Sequence, residues 1–129
     1  MSIQQFIKCS DIAKSIEFYT HVLDFKVVQA PDPNPKSFMS KYAFLERDGS
    51  YIHLSMHEGD GVFGNLIYIN VDDVGAIAKK VSGVQIGNFK SQTHPKIMLE
   101  LVSQTWGMKE FGVSDPDGNK ITYGQKLSK

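Results

Sequence analysis

Histidine and cysteine, the side chains most often used for acid–base, nucleophilic or metal chemistry, are few in this sequence. It contains four histidines and one cysteine, and none lies in a nucleophile motif or a Gly-x-x-x-x-Gly-Lys phosphate-binding motif. His53 stands between the apolar residues Ile52 and Leu54, so strand alternation places it on the opposite sheet face from both. Glu110 and Gln4 occupy similar alternating positions. These three side chains are the candidates for contacting a polar ligand group.

The composition limits the classes of partner. The 129 residues are 41% apolar and 22% charged, with 14 basic and 14 acidic side chains. Such a chain is expected to form one soluble domain, and its neutral balance argues against nucleic-acid or anionic-membrane partners. The single Cys9 excludes an internal disulfide, and the sequence shows neither a signal peptide nor a membrane span. We therefore expect a cytoplasmic protein without a membrane partner.

Strand and helix patterns in the first half follow the order β-α-β-β-β. Ser10 or Asp11 can cap the amphipathic helix, which ends near Asp24. Three prolines in the segment from Ala30 to Pro35 prevent regular secondary structure there. Turn residues 47–50 separate two alternating segments and predict a hairpin. The predicted strands are Ile3–Cys9, Phe25–Gln29, Met39–Glu46 and Tyr51–Met56.

The second half repeats this order. A helix capped by Asp72-Asp73 and ending at Gly83 follows the predicted strand Leu66–Val71, and the 61-position offset from Asp11 to Asp72 indicates a duplicated unit. The sequence Asp115-Pro-Asp-Gly118 predicts a tight hairpin turn. The other predicted segments are a weak strand Val84–Ile86, a polar linker Asn88–Lys96, a segment Ile97–Gln104 that fits either strand or loop, and hairpin strands Phe111–Ser114 and Lys120–Tyr123.

Both ends of the chain carry a specific resemblance. Ser10-Asp11 is followed by Ser-Ile-Glu-Phe-Tyr at 15–19 and Val-Leu-Asp-Phe at 22–25, and the other end reads Trp-Gly-Met-Lys-Glu-Phe at 106–111 and Asp-Pro-Asp-Gly-Asn at 115–119. Together with the repeated order of elements, these segments resemble the vicinal oxygen chelate superfamily, in its glyoxalase/bleomycin resistance protein group.

The resemblance implies an α+β fold with two tandem βαβββ modules. It implies one domain over residues 1–129, with module one at about 1–58 and module two at about 63–126. The modules are expected to form a cupped, partly closed mixed sheet with the helices outside. It also implies a homodimer, because two chains of such proteins typically form ligand clefts between them.

Metal-dependent members of the superfamily place ligands on the first and fourth strands of each module. The corresponding residues here are Gln4, His53, Leu66 and Thr122. Leu66 has no donor atom and Thr122 offers only a neutral hydroxyl, whereas a catalytic metal usually needs about three His or carboxylate ligands. We therefore expect neither a metal nor another cofactor. A metal-dependent lyase, isomerase or dioxygenase remains the alternative, and so does a metal-free isomerase with His53 or Glu110 as the base.

Aromatic residues concentrate on the segments expected to line the cup. The chain therefore resembles a metal-independent protein that sequesters an aromatic or moderately polar small molecule more than an enzyme. Its neutral charge fits a cationic drug such as bleomycin poorly. The predicted ligand-binding residues are Gln4, Phe38, Tyr42, Tyr51, His53, Tyr68, Trp106, Met108 and Glu110.

Overall fold

A computed structural model describes residue 1, residues 3–85 and residues 94–127. The chain divides into two compact units, residues 1–63 and residues 64–129. Each unit contains one four-stranded mixed sheet and one α-helix. The predicted α+β fold with two βαβββ modules is confirmed, and each sheet is open.

The first unit has the strand order β1-β4-β3-β2. Strand β1 is parallel to β4, and the other neighbours are antiparallel. A short 3-10 turn, Phe38–Lys41, precedes β3. The elements are β1 Gln5–Lys8, α1 Ile12–His21, β2 Lys26–Gln29, β3 Tyr42–Arg47 and β4 Ser50–Ser55.

The second unit repeats this topology with the order β5-β8-β7-β6. Strand β5 is parallel to β8, while β8–β7 and β7–β6 are antiparallel. The elements are β5 Leu66–Asn70, α2 Val74–Lys80, β6 Ile97–Ser103, β7 Met108–Ser114 and β8 Lys120–Lys126. The segment whose type the sequence left open is therefore the edge strand β6.

Both helices begin at an aspartate cap. The Asp11 carboxylate accepts from the Lys14 amide at 3.1 Å, and the Asp73 carboxylate accepts from the Ala76 amide at 3.0 Å. Each carboxylate satisfies an amide that has no partner within the helix. The two caps confirm the predicted repeat, although Asp73 rather than Asp72 is the residue that caps α2.

The two predicted hairpins are also confirmed. Strands β3 and β4 join through Asp48 and Gly49, which both have positive φ, as a two-residue type I′ turn requires. Strands β7 and β8 join through the Asp115–Gly118 turn, in which the Gly118 amide donates to the Asp115 carbonyl at 3.0 Å. The buried Asp115 carboxylate accepts from the Asp117 and Asn119 amides, each at 2.9 Å.

Alternation along the strands separates a buried face from a second face in each sheet. In the first unit, Ile7, Leu45 and Leu54 are fully buried on the face covered by α1. In the second unit, Phe111 and Val113 are buried on the face covered by α2. Burying an apolar side chain of this size contributes about 1.5–3 kcal/mol. The remaining face of each sheet is left to carry polar and aromatic side chains.

Two local predictions are wrong. The sequence pattern predicts a weak strand over Val84–Ile86, but Val84 and Gln85 belong to a π-helical turn, Val81–Gln85, that continues α2, and Ile86 lies outside the described residues. The predicted strand Met39–Glu46 begins later, because residues 38–41 form the 3-10 turn capped by the Ser37 hydroxyl. The predicted polar linker Asn88–Lys96 lies outside the described residues except for its last three positions.

Within the described part of the chain, neither helix has the length and apolar character needed to cross a membrane.

The type I′ turn gives a stability prediction. Gly49 has φ +83° and open space around its missing Cβ, so Gly49→Ala introduces only backbone strain. We expect the free energy of unfolding to fall by roughly 1–2 kcal/mol in urea denaturation. Gly83→Ala is the control, because Gly83 has no positive φ and no described residue lies within 4 Å of the position its Cβ would take. An equal loss in both variants would contradict strain as the cause.

Candidate functional site

The open face of the first sheet carries a cluster of stacked rings. His53 on β4 stacks on Phe6 of β1, with centroids 4.3 Å apart and 8° between planes. It also stacks on Phe44 of β3 at 4.5 Å and 25°. Phe44 in turn stacks on Tyr51 at 5.5 Å. The aromatic face, as we call this cluster, consists of Phe6, Tyr42, Phe44, Tyr51 and His53.

Register explains why these rings meet. Phe6 and Phe44 are the cross-strand partners of His53 on its two sides, so all three side chains project from the same sheet face. The neighbouring Ile52 and Leu54 project from the other face and are buried. The predicted orientation of His53 is therefore confirmed.

Both ring nitrogens of His53 have hydrogen-bond partners. Tyr42 Oη lies against Nδ1, and Nε2 lies 2.7 Å from Gln4 Oε1. The Gln4 oxygen accepts only, so Nε2 carries the proton and Nδ1 accepts from the Tyr42 hydroxyl. This pattern satisfies a neutral imidazole and leaves neither nitrogen with a spare lone pair.

Burial favours the same neutral state. It lowers the pKa of His53 below its ordinary value of 6.5, and it raises the pKa of Tyr42 above its ordinary 10.0. At neutral pH the aromatic face therefore carries no charge of its own. It is suited to planar apolar surface with a few hydrogen-bonding groups.

The open face of the second sheet carries a hydrogen-bonded tyrosine and glutamate instead of stacked rings. Tyr68 of β5 donates its hydroxyl proton to Glu110 Oε2 of β7 at 2.7 Å. The phenol crosses Gly124 of the intervening strand β8, where an added Cβ would lie 1.9 Å from Tyr68 Oη. Burial of the phenol, together with the hydrogen bond and the charge of Glu110, raises the pKa of Tyr68 to about 12. Glu110 itself is only 6% exposed.

The remaining predicted ligand-binding residues lie near strand ends. Phe38 is 72% exposed and stacks on His57 at 3.9 Å and 12°. Trp106 is 64% exposed in the turn between β6 and β7, beside Gly107 with φ +84°. Met108 is the first residue of β7.

The structure thus brings the predicted residues into two groups. Gln4, Tyr42, Tyr51 and His53 share the first sheet face, while Tyr68 and Glu110 share the second. No hydrogen bond or ring contact of the described residues joins Phe38, Trp106 or Met108 to either group. Whether any of the nine contacts a ligand stays a prediction.

The predicted ligand-binding set omits two residues of the aromatic face, Phe6 and Phe44. Phe6 has the same strand parity as Gln4, and Phe44 is directly opposite His53 in the β3–β4 hairpin. Strand parity and hairpin register were therefore the sequence signals that pointed to them.

The residues present do not fit the four-ligand metal site of metal-dependent relatives. Gln4 and His53 meet in the first unit, but they hydrogen-bond to each other rather than converging on a common point. Leu66 provides no donor atom. Throughout residues 3–85 and 94–127, no group of three or more His, Cys, Asp or Glu side chains could hold an ion.

The repeated βαβββ architecture and the polar and aromatic faces define the class of protein. The family model for the Glyoxalase/Bleomycin resistance protein/Dioxygenase superfamily matches residues 3–123. The chain belongs to this superfamily.

Solved structures with the same fold include antibiotic-binding proteins. A bleomycin-binding protein complexed with bleomycin is 20% identical with a TM-score of 0.74, and the match covers 98% of each chain. TioX from Micromonospora sp. ML1 is 15% identical with a TM-score of 0.71, over 98% of this chain and 100% of that one. TnmS3, an antibiotic binding protein from Streptomyces sp. CB03234, is 20% identical with a TM-score of 0.68, over 98% and 97%. Comparison with curated proteins finds no match.

The neutral state of His53 gives a pH prediction. The unfolded chain protonates His53 near pH 6.5, whereas the folded chain resists protonation until a lower pH. At a pH between the lowered pKa of His53 in the folded chain and about 6.5, the unfolded state binds more protons. The free energy of unfolding therefore falls as the pH drops below about 6.5. Urea denaturation across this range should show the loss, and His53→Gln should remove that part of it.

The same prediction can be checked at the ring itself. Tyr42→Phe deletes the hydroxyl that donates to Nδ1, so the pKa of His53 should rise towards 6.5 in an NMR titration of its ring protons. Tyr51→Phe is the matched control, because Tyr51 stacks on Phe44 and makes no hydrogen bond to His53. A change of the same size in both variants would contradict the assigned role of Tyr42.

Proposed function

We propose that this protein is a metal-independent binding protein that sequesters an aromatic or moderately polar small molecule. The observation that carries the proposal is the aromatic face, in which Phe6, His53, Phe44 and Tyr51 stack in sequence across three strands. Rings already held by cross-strand neighbours lose little conformational freedom when a ligand stacks on them.

The exposure of the rings supports binding to a planar group. Phe6 is 41% and Tyr51 is 37% exposed, so both offer ring surface that a ligand would remove from water. Such apolar surface on a sheet is typical of interaction sites. Aromatic stacking contributes about 0.5–1.5 kcal/mol per pair beyond the burial of area.

The hydrogen bonding of His53 supports binding over catalysis at this face. A general base needs a free lone pair within reach of the substrate proton, and Nδ1 already accepts from Tyr42. The bonds to Tyr42 and Gln4 instead fix the ring plane on which a ligand would stack. The Gln4 side chain is exposed, and its amide nitrogen is placed to donate to a polar ligand group.

The relatives support the same class of activity. Structures similar to this chain include a bleomycin-binding protein and an antibiotic binding protein. The balance of 14 basic and 14 acidic residues favours a ligand with less positive charge than bleomycin.

Variants of the aromatic face test the proposal. We expect tryptophol, a neutral planar probe, to bind in an NMR titration of isotope-labelled protein. Phe44→Ala should weaken binding roughly tenfold or more, because it removes the central ring of the stack. Excess EDTA should leave the affinity unchanged.

The matched control is Phe63→Ala. Phe63 is 51% exposed, and its ring lies 5.5 Å from Lys8 Nζ and does not stack on the aromatic face. Absence of tryptophol binding to the wild-type protein would contradict the proposal, and so would loss of binding on chelation.

We also propose that the protein acts in the cytoplasm as a homodimer. The apolar side chains exposed on the sheets, such as Val28 of β2 at 57%, would gain cover from a second chain. The buried thiol of Cys9, the single cysteine of the sequence, is compatible with a reducing compartment.

Native mass spectrometry tests assembly and metal content together. We expect the mass of two 14.4 kDa chains without a retained ion after exposure to zinc, nickel or manganese and desalting. A monomer at all concentrations would contradict the dimer. One ion per chain would contradict metal independence and direct attention to lyase and dioxygenase substrates.

A further inference from the structure

Glu110 is a carboxylate with unusual surroundings. It is 6% exposed, yet within the described ranges no Lys or Arg forms an ion pair with it. Its one hydrogen-bond partner there is the Tyr68 hydroxyl, which donates to Oε2. A mostly buried carboxylate normally requires a cation or several donors, because removal of its charge from water is costly.

The second carboxylate oxygen of Glu110 still has room in its hydrogen bonding for a donor. Oε1 of Glu110 accepts no hydrogen bond from the described residues, although the strand face around it is ordered by pairing of β5, β8 and β7. On β8 the cross-strand partner of Glu110 is Gly124, which contributes no side chain, and on β6 the partner is Val102. The three atoms nearest to a Cβ placed at Gly124 all belong to the Tyr68 side chain.

The groups beside Glu110 suit a cation with an apolar body. The Tyr68 ring is 44% exposed and Leu66, two positions earlier on β5, is 63% exposed. An aromatic ring face attracts a nearby ammonium group, and an aliphatic side chain can cover apolar ligand surface. Tyr68 also keeps its proton, since its pKa is about 12, so the pair bears one negative charge rather than two.

We propose that Glu110 and Tyr68 form a recognition site, within the second unit, for the protonated amine of a small molecule. The ammonium donates to Glu110 Oε1, while Tyr68 holds Oε2 and fixes the orientation of the carboxylate. This assignment rests on the proposed small-molecule-binding function and specifies a ligand class for the second unit, an aromatic compound with a single amine whose apolar body lies against Tyr68 and Leu66. One buried carboxylate selects one amine without the broadly acidic surface that a polycation would need.

A pair of isosteric probes tests the site. Tryptamine and tryptophol share an indole and differ at the terminal amine or hydroxyl. We expect wild-type protein to bind tryptamine roughly tenfold or more tightly than tryptophol in NMR titrations, because hydrogen bonds between charged groups are stronger than neutral ones. The amide resonances of Tyr68, Glu110 and their neighbours on β8 should respond to tryptamine.

Glu110→Gln should abolish the preference for tryptamine. The Gln oxygen can still accept from Tyr68, so the variant keeps the hydrogen bond that orders the face. Glu100→Gln is the matched control, because it removes the same charge from an exposed position on strand β6 and should keep the preference. A preference that survives in Glu110→Gln, or is lost equally in Glu100→Gln, would overturn the amine site.

The outcomes separate this inference from the proposed function. Equal binding of both probes to the wild-type protein would overturn the amine site and leave the aromatic binding function standing. If neither tryptamine nor tryptophol binds, the result contradicts both the amine site and the proposed binding function.

Discussion

Each unit depends on one constraint, which is that the side chains of its strands alternate between a face covered by a single helix and the opposite face. Because side chains project to opposite faces with a period of two, the residues that pack against α1 or α2 determine which residues are left for the other face. Ile52 and Leu54 are buried beneath α1, and this fixes His53 on the open face between Phe6 and Phe44. A slip of one residue would bury the imidazole and expose the core.

The two units use this framework for different chemistry. Sheet register makes Phe6, Tyr42, His53 and Ser55 of the first unit equivalent to Tyr68, Glu110, Thr122 and Gly124 of the second. In the first unit the imidazole is large, so the rings stack around it and its nitrogens are satisfied by neighbours. In the second unit, Thr122 and Gly124 leave space on the central strand, and Tyr68 reaches across it to Glu110. Small residues at two positions thus convert a stacking surface into a hydrogen-bonded carboxylate site.

The electrostatic contrast between the two faces follows from these partners. His53 is held neutral because burial leaves its protonated form poorly solvated, and protonation would also cost the hydrogen bond from Tyr42. Glu110 receives one neutral donor and no cation from the described residues, so its charge is left to attract a partner from outside the chain. A protein with no net charge can in this way still present one local and directional charge.

The sequence alone determined the repeated order of elements, both aspartate-capped helices and both hairpins. These features depend on short-range rules, namely caps, turn residues and hydrophobic period. Strand parity also predicted the face on which His53 lies. Only the tertiary structure decided that Tyr42 and Gln4 occupy both nitrogens of His53, and that Tyr68 crosses Gly124 to bond Glu110. These contacts join residues between 11 and 56 positions apart. They depend on which strands pair, on the register of the pairing and on the size of each side chain between the partners. A local sequence pattern encodes none of these three properties.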